Sequence, residues 1–169
     1  MKTYRTFLTP ETEKITTACT AGDSVCVMPN VLDFATGDIA SFAGYPTGNH
    51  HQLVKASEAR LVAQQGAQLI IAVPGITTEA TLMTELVLLR EAVPHPTTLA
   101  IVVDTQKLDD EQALELATIV AKSGADAICT GITQSRPSAH AALKNVLPIV
   151  AIGNTRDCAQ DAMIWLHTD

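Results

Sequence analysis

The chain has 169 residues, 47% of them hydrophobic, 17% charged and only 4% aromatic, with a formal net charge of −7. That is enough for one domain whose core is built of Val, Ile, Leu and Ala. The acidic balance argues against a nucleic-acid partner, whose phosphates select a Lys/Arg surface, and no apolar run reaches the roughly 18 residues of a membrane span.

Four cysteines, Cys19, Cys26, Cys129 and Cys158, are too far apart in sequence for a zinc or redox motif. The opening Met1-Lys2-Thr3-Tyr4-Arg5-Thr6 lacks the apolar segment of a signal peptide. The expectation is a cytoplasmic protein with reduced thiols.

Tyr4–Leu8 reads as a short strand. Thr9-Pro10 reads as the start of a helix, with Thr9 as N-cap, Pro10 in the first turn and Gly22 at its end. Ser24–Met28 is a second strand, stopped by Pro29-Asn30, with a short helix over Val31–Thr36. Ile39–Tyr45 is the third strand. The helix over His51–Gln65 places Leu53, Ala56, Leu61 and Ala63 on its inner side and Lys55 and Glu58 outside, and ends at Gly66. Gln68–Val73 is apolar at consecutive positions, the pattern of a parallel strand buried on both faces.

Thr77–Ala92 is helical, with Leu82, Leu86 and Leu89 on one stripe and Pro94 and Pro96 beyond it. Leu99–Val103 is the fifth strand, ending at Asp104-Thr105. Asp109–Ser123 is the clearest helix, with acidic residues at its start, Lys122 near its end and a Gly124 cap. Ala127–Thr130 is the sixth strand, Ser138–Lys144 a helix of barely two turns, and Pro148–Ile152 the seventh strand. Ala162–Thr168 reads either as an eighth strand that pairs with the first or as part of a helix continuing from Asp157. The strand is preferred, because an unclosed parallel sheet leaves long edges exposed.

Strict alternation of strands and helices implies a parallel sheet with right-handed crossovers. The expected fold is α/β, a compact (β/α)8 TIM barrel spanning residues 1–169 as one domain, with an open seven-stranded sheet as the alternative. Eight units leave about 21 residues each, against about 30 or more in an ordinary βαβ unit, so several helices must be short.

Six segments in order resemble the deoxyribose-phosphate aldolase family. Arg5–Pro10 (R-T-F-L-T-P) is similar to its H-T-L-L-K-P, and Ser24–Pro29 (S-V-C-V-M-P) to S-V-C-V-x-P. Gly44–Gly48 (G-Y-P-T-G) resembles G-F-P-H-G, and Leu99–Leu108 resembles L-K-V-I-I-E-T-x-x-L. Gly124–Thr130 (G-A-D-A-I-C-T) resembles G-A-D-F-I-K-T, and Ala151–Arg156 (A-I-G-N-T-R) resembles A-S-G-G-I-R. The resemblance implies a class I aldolase barrel that needs no cofactor or metal and cleaves 2-deoxyribose 5-phosphate to acetaldehyde and glyceraldehyde 3-phosphate, a step of deoxyribonucleotide catabolism. It also implies a Schiff-base lysine on strand six, a second lysine on strand seven, an aspartate on strand four and a lysine on strand five. Those positions fall on Cys129, Val150, Ile71 and Ala100.

A Schiff base needs a primary amine, and among side chains only lysine supplies one. Of the six lysines, only Lys107 is expected on the catalytic face. It reads either as a relocated amine or as a solvated loop residue. Cys129 reads as a nucleophile or as a small core residue, and Asp104 as an acid/base or as a turn cap. His50-His51 read as a polar helix start rather than metal ligands, and His95, His140 and His167 are scattered. Thr130, Gly131, Gly153 and Asn154 are the candidate phosphate contacts, with Arg136 and Arg156 as possible anion partners. The expectation is a catalytically silent relative that binds a small phosphorylated sugar and self-associates, without cofactor, metal, nucleic acid or membrane.

Overall fold

The computed structural model describes residues 1–169. The chain forms eight strands: β1 (Lys2–Phe7), β2 (Val25–Val27), β3 (Ile39–Ala43), β4 (Leu69–Ala72), β5 (Thr98–Val102), β6 (Ala127–Cys129), β7 (Ile149–Gly153) and β8 (Ile164–Thr168). Each pairs with the next in parallel, and β8 returns to β1 with Tyr4 opposite Leu166. The barrel is closed, so the eighth-strand reading of the last segment is the observed one and the open sheet is not.

Five α-helices pack outside: α1 (Thr12–Thr20), α2 (Gln52–Gln64), α3 (Glu79–Ala92), α4 (Asp110–Lys122) and α5 (His140–Leu143). Closure within this length is possible because the connections after β2, β6 and β7 shrink to 3₁₀ turns at Pro29–Phe34, Pro137–Ala139 and Arg156–Ala159, with the single turn of α5 following the second. No helix is long and apolar enough to cross a membrane.

Helix starts differ from expectation where side chains make other bonds. Thr9 does not cap α1: its hydroxyl donates to Glu11, and the helix begins at Thr12. His51 caps α2, its Nδ1 accepting from the Leu53 N–H. At α4 the expected acidic start becomes a full capping box between Asp109 and Gln112. The segment after β2 is 3₁₀ rather than α-helical.

Alternation along the strands divides the core into two shells. One lies between the barrel and its helices and holds Ile15, Ile70, Leu86, Leu89, Ile101 and Ile128. The other fills the barrel axis, where large side chains such as Tyr4, Phe42 and Leu69 sit among small ones such as Ala40, Ala100, Ala127 and Cys129. Register pairs the sizes: Ala40 stands opposite Leu69, and Ile71 opposite Ala100. Tyr4 carries its hydroxyl to the lower end of the barrel and donates to Asp38 at 2.8 Å.

Candidate functional site

The carboxyl ends of β3 to β6 and the loops after them surround a cavity of about 110 Å³. Pro46, Thr47, Val73, Pro74 and Ile76 form one wall, and Val102, Leu108, Leu116 and Ile132 the other. Two charged side chains reach it, Asp104 and Lys107. The barrel axis beneath is closed by an apolar layer of Leu8, Met28, Tyr45 and Ile132. Tyr45 stacks on Phe42 at 4.4 Å and donates its hydroxyl to the Ile132 carbonyl at 2.8 Å. Burial pushes the Tyr45 phenol up to about 12, so it stays a neutral donor at this seal.

The structure separates the sequence candidates. Cys129 lies below the seal, fully buried. Burial pushes its thiol up to about 12, and the Asp104 carboxylate acts in the same direction. The group is therefore a protonated thiol in an apolar setting. Asp104 is half-buried and serves two ends. It caps its own turn by accepting from the Gln106 N–H at 3.0 Å, and it lines the cavity. Lys107 is an exposed residue of the same wall. His51 is occupied as the α2 cap, and His50 is exposed.

The four candidate phosphate residues do not present one open cradle. Thr130 is fully buried, and its side chain belongs to a hydrogen-bonded chain behind β6. In the tautomer that satisfies every member, the Ile152 N–H donates to Ser135 Oγ (2.9 Å) and Ser135 to Thr130 Oγ1 (2.8 Å). Thr130 then donates to His140 Nε2 (2.8 Å), and His140 Nδ1–H to the Gln160 carbonyl (2.6 Å). Gly131 folds tightly under its own loop, where a Cβ would lie 2.4 Å from the Gln134 carbonyl oxygen. The space over Gly153 is taken by the Gln134 carboxamide and the Cys158 sulfur, 2.6 and 2.7 Å from a Cβ built there. Asn154 and Arg156 are exposed beyond β7. Arg136 is committed to Asp110 (2.7 Å) and to the Thr105 and Leu108 carbonyls.

Lys55 corrects the reading of α2. The inner face of that helix carries Lys55, Ala59 and Val62, while Leu53 and Leu61 are more than half exposed. Lys55 forms a buried ion pair with Glu85 of α3 and donates to the Gly48 carbonyl (2.6 Å) and the Val73 carbonyl (3.4 Å). Glu85 Oε2 accepts from the Gly75 N–H at 2.9 Å, and Glu58 accepts from the Gly44 N–H at 2.8 Å. These side chains reach back from the helices and fix both loops of the Pro46/Pro74 wall. Gly48 makes the approach possible: its φ is +72°, and a Cβ would lie 2.5 Å from the Pro74 oxygen. The spacing of Lys55 with Ala59 and Val62 was visible in the sequence as an inner stripe, and the charge of Lys55 concealed it.

No protein-family model matches the chain. It is 36% identical over 140 residues to the deoxyribose-phosphate aldolase of Corynebacterium jeikeium, across 73% of this chain and 56% of that protein. Among solved structures, the aldolase QR15 superposes with a TM-score of 0.83 at 19% identity, covering 96% of this chain and 88% of that one. A tetrameric deoxyribose phosphate aldolase from Aeropyrum pernix superposes with a TM-score of 0.78 at 18% identity, over 97% and 84% of the two chains. The chain spans about half the length of the curated relatives it matches.

Two measurements test the site's framework. Burial lowers the His140 pKa below its ordinary value, against the opposing hydrogen bond to Gln160. The unfolded chain therefore takes up a proton near pH 6.5 that the folded chain resists, and stability is lost as pH falls below about 6.5. In urea titrations from about pH 7.5 to about pH 5.5, His140→Gln should start less stable and lose less on acidification than wild type. An equal pH slope in both would discard the assignment. Lys55→Met alone, which strands a buried carboxylate, should cost about 3–5 kcal/mol. Adding Glu85→Gln, which keeps an acceptor for Gly75, should restore most of the loss in the same titration.

Proposed function

Since the chain belongs to the deoxyribose-phosphate aldolase family, we propose that it keeps the family's barrel without its Schiff-base chemistry and binds a small molecule at the barrel mouth. The supporting observation is the composition of the barrel axis. The positions that the resemblance assigns to the family's lysines and aspartate are Cys129, Val150, Ala100 and Ile71, all wholly buried among apolar neighbours. No amine lies there to attack a carbonyl. Lys2, Lys14 and Lys144 are paired with carboxylates on the surface, Lys122 is exposed on α4, and Lys55 is held by Glu85 outside the barrel.

A phosphorylated sugar is the ligand class that the family suggests. The Gln134 side chain over Gly153 and the use of Thr130 within the buried chain weigh toward a ligand without phosphate. The four free cysteines fit a reducing compartment such as the cytoplasm. A second reading rests on Lys107, which lines the mouth cavity: an aldolase or related lyase with a relocated amine.

Borohydride treatment in the presence of 2-deoxyribose 5-phosphate, followed by mass spectrometry, separates the two. The first reading expects no trapped adduct. An adduct on Lys107, lost in Lys107→Ala, would replace it with the second.

Self-association is also proposed. The Aeropyrum pernix enzyme is tetrameric, and α2 here exposes Leu53, Val54 and Leu61 on its outer face. Sedimentation should give an oligomer that Leu53→Glu with Leu61→Glu reduces to a monomer. A monomeric wild type would end this claim.

A further inference from the structure

Lys2, Lys14, Lys55 and Lys144 each pair with a carboxylate, as do Arg5, Arg90 and Arg136. Lys107 enters none of these pairs, although Asp104 stands three residues earlier on the same turn and lines the same cavity. The turn is fixed by the hydrogen bond from the Lys107 N–H to the Asp104 carbonyl at 3.2 Å. One carboxylate oxygen of Asp104 accepts from Gln106, and the other has no protein donor. The cavity therefore holds one cation and one anion that leave each other free, between apolar side chains of its two walls, Val73 and Pro74 on one and Ile132 on the other.

We propose that this cavity is a site for a small carboxylate carrying a hydrogen-bond donor on the adjacent carbon, a 2-hydroxy or 2-amino acid of about three carbons. The ligand's carboxylate pairs with Lys107, its hydroxyl or ammonium donates to Asp104, and its aliphatic end rests on Val73 and Ile132. The proposal rests on the reading that the mouth binds without forming an imine.

Charge selects this class, and size agrees with it. A cavity of about 110 Å³ that opens to solvent accommodates a molecule of a few heavy atoms, with its far end at the mouth. A phosphate dianion asks for several donors. Here it meets one cation and is repelled by the neighbouring Asp104. A monocarboxylate with an adjacent donor turns the same aspartate into a partner.

The test is a ¹⁵N-correlated NMR titration of the whole chain with L-lactate, D-lactate and L-alanine, against propionate and propane-1,2-diol. Lactate or alanine should bind in the millimolar range, with shifts confined to Thr47, Val73, Asp104–Leu108 and Ile132. Propionate lacks the donor and the diol lacks the charge, so each should bind at least about tenfold more weakly. Lys107→Met should abolish binding of both acids. Asp104→Asn, which keeps an acceptor and loses the charge, should weaken alanine more than lactate. Comparable binding of propionate and lactate, or no shifts at the mouth, would overturn the proposal while leaving the absence of imine chemistry standing. A borohydride adduct on Lys107 would overturn the reading beneath it.

Discussion

Five residue pairs between β1 and β8, from Lys2 opposite Ile164 to Thr6 opposite Thr168, close a sheet that would otherwise present two unpaired parallel edges. Closure then dictates what can fill the axis. Strands of three to six residues enclose a narrow interior, and it packs only if small side chains face large ones. Alanine and cysteine at Ala40, Ala100, Ala127 and Cys129 meet that demand beside Tyr4, Phe42 and Leu69. The thiol of Cys129 is thus part of a steric solution, and its chemistry is suppressed by the same burial that makes it useful.

An axis packed this way has no amine or carboxylate to offer a substrate, and its buried Thr6 hydroxyl is taken by the Tyr4 carbonyl. Tyr45 and Ile132 complete the separation by bonding across the mouth. Whatever this protein recognises must be met at the rim, by residues on loops. Helices hold those loops from behind. Lys55, Glu58 and Glu85 bond the backbone of Gly44, Gly48, Val73 and Gly75, and so convert the Pro46/Pro74 wall into an extension of α2 and α3. A buried ion pair of this kind gives little net stability compared with apolar packing. Its use here is positional, since three ammonium donors satisfy a carboxylate and two carbonyls of separate loops at once.

The inner strands β2 to β7 were legible because burial on both faces leaves a nearly unbroken apolar run. Closure was legible as a preference only, because Ala162–Thr168 carries apolar residues at spacings that suit a helix as well as a strand, and pairing with β1 decides it. The inner face of α2 is hidden in the sequence, because its charge alone places Lys55 in solvent. Only the carboxylate of Glu85, thirty residues away in sequence, makes its burial affordable. Asp104 and Lys107 were identified from chain order, and the structure brings both to one cavity. The partnership of Thr130, Ser135 and His140 could not be read in advance. It joins residues five and ten apart through a loop whose path is set by Gly131, and it ends on a carbonyl twenty residues further on.

Ser135 has a role that its loop position disguises. β6 stops at Cys129, while β7 continues to Gly153. The amide of Ser135 donates to the Ile152 carbonyl at 2.7 Å, and its hydroxyl accepts from the Ile152 N–H at 2.9 Å. One residue thereby supplies both bonds that a longer β6 would have given, so the sheet continues through a side chain. The segment from Thr130 to Ser135 is consequently a spacer of set length. Adding or removing a residue there would pull Ser135 out of register with Ile152 and reopen the barrel wall beside β7. In this fold, where loops ordinarily absorb changes in length, that one has the register requirements of a strand.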